Sequence, residues 1–240
     1  MLARMHRDVE ESHSPTVGPR HGRLQYAGLA ILGAIACVAL VAPLHRIGFF
    51  LEEPNEGWNA THTLHAFDGE LYPPPGTFII NNYPPLWFYL TGLLYRSFGD
   101  PIFPGRVVAL LAFAGTAMAI FALVQRLGAS LTASLVSALS FVAAMAGLFD
   151  GWVGLAEPQM LAHALVTTGA AMLAGTRSRR TASAAAVLMV LGGLTKQTVI
   201  ALPLASLVWT LALSSRLGNR LARHGPARRR KRDPGSPRRL

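Results

Sequence analysis

The chain has 240 residues, of which 51% are hydrophobic and 14% charged, and its mean hydropathy is +0.35. A soluble domain carries about 25% charged residues, so the composition argues against a water-soluble globule. The 22 Lys and Arg against 12 Asp and Glu leave a net charge of +10, which points to nucleic acid in a soluble protein but marks the cytoplasmic side of a membrane in an apolar one. A single cysteine, Cys37, excludes an intramolecular disulfide and a cysteine-based zinc site. Within its apolar run it reads as a small buried hydrophobe.

Six stretches carry no Asp, Glu, Lys or Arg: 24–45, 107–125, 127–149, 158–176, 181–195 and 197–215. A helix rises about 1.5 Å per residue and needs about 20 residues to cross a hydrocarbon core of about 30 Å. The expectation is an all-α, polytopic membrane protein with about six transmembrane helices. The first stretch is long for a signal peptide and lacks a small-residue cleavage site, so it reads as a retained anchor. The last two runs are too long together for one crossing, which predicts a break at Leu194-Thr-Lys-Gln-Thr198. Residues 83–99 predict a helix over 84–98, with prolines in its first turn and Gly99-Asp-Pro101 as its stop. Its aromatic content and Arg96 suit a membrane-hugging position. If it does not cross and the N-terminus is cytoplasmic, 18 of the 22 basic residues and both termini lie inside, with eight acids outside. The predicted organisation is a cytoplasmic segment 1–23, a transmembrane domain 24–215 with a large outer loop 46–106, and a basic, disordered tail 216–240.

The outer loop concentrates the chemistry. The spacing predicts a short helix over 56–67 capped by Asn55, with Glu56 in its first turn just outside a membrane anchor. Glu56 then reads either as a working carboxylate facing a lipid-linked substrate or as a solvated acid, with Glu52 and Glu53 beside it. Glu157 follows the third crossing and is the second outward acid. Together the two could hold a divalent metal against a phosphate; the alternative for Glu157 is a favourable charge at a helix start next to Pro158. His62 and His65, three apart, are a weak metal pair and more simply an exposed helix face. Asn59-Ala-Thr61 fits the N-glycosylation pattern. Lys196 is the one Lys or Arg inside a long uncharged run, either a phosphate or carboxylate partner or a snorkelling lysine. Trp58, Tyr72, Tyr83 and Trp87 are candidates for packing on sugar rings or acyl chains, or for interface anchoring.

The order of motifs carries a resemblance. An anchor is followed by Glu53-Pro-Asn-Glu-Gly-Trp58, Leu71-Tyr-Pro73, Asn81-Asn-Tyr-Pro-Pro-Leu-Trp-Phe-Tyr-Leu90 and Phe98-Gly-Asp-Pro-Ile-Phe-Pro-Gly-Arg-Val-Val-Ala-Leu-Leu111. Ala156-Glu-Pro-Gln-Met-Leu-Ala162 and Leu194-Thr-Lys-Gln-Thr198 complete the set. This series, over roughly residues 25 to 213, resembles the GT-C membrane glycosyltransferases, nearest to the protein-mannosyltransferase-like and bacterial lipid-A-glycosyltransferase-like branch. The resemblance implies transfer of a sugar from a polyprenyl-phosphate donor to a glycan, lipid or protein acceptor at the outer face of a bacterial cytoplasmic membrane. It implies a base from the first outer loop, here Glu56, since the Asp that family members place before it is Asn55. It also implies a role for Glu157 beside a possible divalent metal and for Lys196 near the donor phosphate; Arg96 is a further candidate for positive charge near that phosphate, and Tyr83 and Trp58 complete the candidate substrate-binding residues. No specific nucleic-acid partner is expected. Relatives usually continue with further crossings, so the alternative is a noncatalytic, truncated membrane subunit or a lipid-carrier binding protein.

Overall fold

A computed structural model describes residues 19–48, 54–78, 80–176, 178–208 and 211–212. Most of the N-terminal segment, Glu52, Glu53, Arg177 and the basic tail 216–240 lie outside the described residues. Among those described, every regular element is helical: α1 Pro19–Arg46, α2 Pro54–Leu64, α3 Leu86–Phe98, α4 Phe103–Arg126, α5 Leu131–Leu148, α6 Pro158–Leu173 and α7 Arg179–Thr195. Short 3-10 turns at Asp150–Trp152 and Gln197–Ile200 complete the order, and the second leads into an apolar helix, Gln197–Val208.

Among the described residues, three helices are long and apolar enough to cross a membrane: Arg23–Arg46, Phe103–Arg126 and Leu131–Leu148. Only 11% of the first and last, and 28% of the second, is buried inside the protein. An apolar helix that is not covered by protein needs another apolar solvent, which lipid supplies. Cys37 follows this pattern: it is exposed on α1 rather than buried as the sequence suggests. The other expected crossings are shorter. The 16 residues of α6 and 17 of α7 reach about 24–26 Å at 1.5 Å per residue. Helix α6 starts at the expected Pro158 and ends three residues before its charge-free stretch does, while α7 covers all of 181–195 and adds Arg179 and Arg180.

The helix ends follow local chemistry. Gly99 closes α3 in the left-handed region (φ 74°), its N–H donating to the Tyr95 carbonyl at 2.7 Å. The Asp100 carboxylate accepts from the backbone N–H groups of Ile102 and Phe103 at 2.7 and 2.8 Å and starts α4. Ser130 and Ser178 cap α5 and α7 by accepting from Ala133 and Thr181. The predicted break after residue 194 falls between Thr195, the end of α7, and the extended Lys196. In the outer loop, α2 begins at Pro54, so Asn55 lies in its first turn instead of capping it; a proline, which has no N–H to satisfy, opens the helix.

Helix α1 packs on α5, α5 on α4, α4 on α6 and α6 on α7, while α3 touches α2, α4 and α7. The α6 and α7 backbones approach at glycines. A Cβ on Gly169 would meet the Ala185 carbonyl at 2.9 Å, and one on Gly192 would meet Val166 Cγ2 at 2.5 Å. Such small residues allow close helix contact where lipid removes the hydrophobic drive between helices. Gly92 does the same for α3 on α2, where the Thr63 and Thr91 hydroxyls share a buried hydrogen bond of 2.9 Å.

Candidate functional site

Two buried ion pairs meet at adjacent residues of the segment before α6. In the first, Glu56 on α2 is 1% exposed and Arg106 on α4 is 5% exposed. Arg106 Nε donates to Glu56 Oε1 at 2.8 Å and Nη2 to Oε2 at 2.5 Å, a bidentate pair. The Ala156 N–H also donates to Oε1, at 2.8 Å, and the Asn59 amide donates to the Ala156 carbonyl at 3.1 Å. Arg106 Nη1 reaches the Ile47 carbonyl at 3.2 Å, so the cluster ties α1, α2, α4 and residue 156 together. Arg46, at the end of α1, pairs with Asp150 beside it.

In the second pair, Glu157 Oε1 accepts from Lys196 Nζ, and both residues are buried. Glu157 stands at the start of α6, but its side chain makes no capping bond and turns to Lys196 instead. Lys196 likewise follows the last residue of α7, yet it points into the protein rather than snorkelling outward. Its ammonium lies 4.7 Å from the centroid of the Tyr83 ring. Trp58 packs edge-on against Tyr83 at 5.2 Å and against His62 at 4.4 Å. The Gln197 amide donates to the Asn82 carbonyl at 3.2 Å, closing the same corner.

The structure therefore brings Glu56, Trp58, Tyr83, Glu157 and Lys196 into one region and leaves Arg96 out. Arg96 lies in the last turn of α3, about 15 Å of helix away from the Tyr83 end at 1.5 Å per residue. It stacks over Phe67 at 4.3 Å. One phosphate cannot bridge it and Lys196. The carboxylates are also poorly arranged for a divalent ion: both Glu56 oxygens are engaged, and each acid already carries a positive side chain in contact. The donor set does not fit a metal. His62 and His65 separate too, His65 pairing with Glu70 at 3.5 Å while His62 is buried against Trp58 and Phe88.

Several residues take roles other than those expected. His62 is buried instead of lining an exposed helix face; burial, with a smaller push from His65, holds its pKa below the usual histidine value, against a backbone hydrogen bond at Ile80. Asn59 is 2% exposed and bonded through its amide, so it cannot present itself for glycosylation. Trp87 is fully buried in the core, neither sugar platform nor interface anchor. Tyr72 donates to the Tyr83 carbonyl at 3.0 Å and so holds the loop. Arg106 is the central residue that sequence reasoning passed over. Its signal was a charge in the first turn of a 24-residue helix whose one other charge, Arg126, stands at its last position.

Beside Glu157, a cavity of about 520 Å³ opens between α4, α5 and α6. Its upper end holds Glu157, Gln159 and His163, and Phe141, Met145 and Trp152 are among its apolar walls. Gln159 and His163 share a hydrogen bond of 2.6 Å. A smaller cavity of about 210 Å³ adjoins Glu56 and Arg106. No family model matches the chain, and no curated protein or solved structure matches it either.

Proposed function

We propose that this chain handles a polyprenyl-phosphate-linked sugar at the outer face of a bacterial cytoplasmic membrane, as a GT-C-like glycosyltransferase. Six crossings place both termini in the cytoplasm, with α6, α7 and the Gln197–Val208 helix as the shorter three and α2 and α3 lying on the outer surface. The positive-inside count supports this orientation. The observation that carries the reading is the buried Glu157–Lys196 pair, whose Glu157 lines the polar end of an otherwise apolar cavity, because a lipid carrier joins those same two chemistries. Transfer from an anomeric carbon requires positive charge near the departing phosphate. Lys196 supplies it, framed by Tyr83 and Trp58.

Glu56 keeps its place in the proposal as the carboxylate on which transfer depends. Its geometry fits a positioning role: Arg106 and the Ala156 N–H hold both oxygens, so Glu56 fixes Ala156 and thereby Glu157. This same observation, with Asn55 where the resembling family has Asp, favours a second reading, a carrier-lipid binding protein without turnover.

Purified chain in lipid nanodiscs, incubated with a polyprenyl-phosphoryl sugar and a panel of glycan, lipid and peptide acceptors and assayed for glycosylated acceptor and released polyprenyl phosphate, separates the two. Turnover that is lost in Lys196→Gln and Glu56→Gln supports the transferase. Saturable binding with no release in the wild type supports the binding protein. Absence of both removes the proposal. Orientation is checked by labelling Ser178→Cys in a Cys37→Ala background, where reaction with an impermeant reagent from outside would invert the topology.

A further inference from the structure

Arg96, which the region around Lys196 leaves out, belongs to a separate cavity. This one, of about 280 Å³, lies between the end of α2, the turn that follows it and the last turns of α3, with Asp68, Tyr95 and Arg96 among its walls. Phe67 stacks against Tyr89 at 5.4 Å and carries the Arg96 guanidinium over its ring at 4.3 Å. A guanidinium held by its face keeps its in-plane N–H donors free, in the fork that matches a phosphate. Among the described residues neither Arg96 nor Asp68 belongs to an ion pair.

The chain thus sets a cation and a carboxylate on one small cavity without joining them. A bare anion there is opposed by Asp68, with Glu70 close by at 3.5 Å from His65 in the same wall, and a bare cation is opposed by Arg96. A zwitterion complements both charges. The rim says where the zwitterion comes from. Leu64 and Phe67 line the cavity and are 40% and 41% exposed; Tyr89, stacked on Phe67, and Leu93, one turn further along α3, are exposed as well. Large apolar side chains beside a charged cavity suit the boundary between lipid head groups and acyl chains.

We propose that this cavity binds the head group of a zwitterionic, primary-amine phospholipid of the outer leaflet. Arg96 takes the phosphate, Asp68 takes the ammonium, and the acyl chains cover Leu64 and Leu93. The inference rests on the outer-surface position proposed above for α2 and α3 and is independent of sugar transfer. The lipid is a fixed anchor for the two outer helices, not a substrate.

The test compares phosphatidylethanolamine with phosphatidylcholine, which shares the phosphate but whose trimethylated nitrogen has no N–H to donate. The full chain in detergent is titrated with each lipid, and bound lipid is counted by native mass spectrometry. An ion pair at a partly exposed site is worth up to about fivefold in affinity. The wild type should favour the ethanolamine lipid by about that factor, Asp68→Asn should bring the two lipids level, and Arg96→Gln should weaken both. Both side chains are exposed, so the variants should fold. Equal binding of the two lipids by the wild type, a preference that survives Asp68→Asn, or unchanged binding in Arg96→Gln overturns the inference. So does soluble glycerophosphoethanolamine that competes as well as the lipid, because the apolar rim then contributes nothing. Position is read separately, from an environment-sensitive dye on Leu93→Cys in a Cys37→Ala background. A dye in an apolar setting without head-group preference removes this inference and leaves the membrane position of α3 standing; a dye in water removes both.

Discussion

The two ion pairs are near neighbours with different finish. Around Glu56 and Arg106 both carboxylate oxygens are engaged, a backbone N–H adds a third bond, and the guanidinium extends to the end of α1. Around Glu157 and Lys196 one oxygen is engaged and the other is buried without a donor. A buried charge network that is fully satisfied fixes geometry, whereas a partly satisfied one leaves a vacancy for something else to fill. The difference suits the first pair to fixing the loop 46–106, and in the proposed function it leaves recognition to the second. It also explains their adjacency: Glu56 grips the N–H of Ala156, and Asn59 grips its carbonyl, so the residue next to Glu157 is clamped from both sides.

The comparison breaks most visibly at Arg106. Removing one member of a buried pair leaves an uncompensated charge and costs about 3–5 kcal/mol, so Arg106→Gln should lower the thermal midpoint strongly, with bound ligand or without it. Glu56→Gln should behave alike, and the double variant Glu56→Gln/Arg106→Gln should be less damaging than the sum of the singles, since the two act as one unit. Additive losses in thermal unfolding would show that the residues do not depend on one another. A smaller effect sharpens the other side. Gly192→Val places side-chain atoms where even a Cβ meets Val166 at 2.5 Å, which should cost about 1–3 kcal/mol by overpacking. It displaces α7, which ends at Lys196, and so should weaken lipid binding while the Glu56–Arg106 contacts persist. Unchanged binding in a destabilised Gly192→Val would separate the α6–α7 contact from recognition.

Much of the helical layout was legible in the sequence because uncharged length and turn chemistry are local signals. The stop at Gly99 and the break at Lys196 are each written in one or two residues. The helix over 84–98 was visible for the same reason and forms as Leu86–Phe98. What the sequence concealed were partnerships between distant segments. Arg106 and Glu56 are 50 positions apart, and Lys196 and Glu157 are 39 apart; no periodicity links them, so Glu56 looked like a free acid and Arg106 like an ordinary outer charge. The charge-free count located the start of α6 at Pro158 and the end of α7 at Thr195, but not the end of α6 at Leu173 or the start of α7 at Arg179. Arg96 was grouped with Lys196 on charge alone, and only the length of α3 sets them apart.

The gentlest test of the comparison is pH, through His62. This side chain sits on α2 one and a half turns after Glu56, buried against Trp58 and Phe88. Burial lowers its folded pKa below the ordinary 6.5, so the unfolded chain binds more protons as pH falls through that value. Stability is then fully present above about pH 6.5 and declines progressively below it, until the lower folded pKa is passed. His62→Phe keeps an aromatic ring in the pocket and removes the titration. Its thermal midpoint should vary less between pH 7.5 and pH 5.5 than that of the wild type. Because α2 carries Glu56, the wild-type decline should loosen the first ion pair before the second, and binding of the lipid carrier should outlast the loss of stability. Binding that falls in step with the His62 titration would instead join the two pairs into one functional unit, with Glu56 answering directly to the ligand.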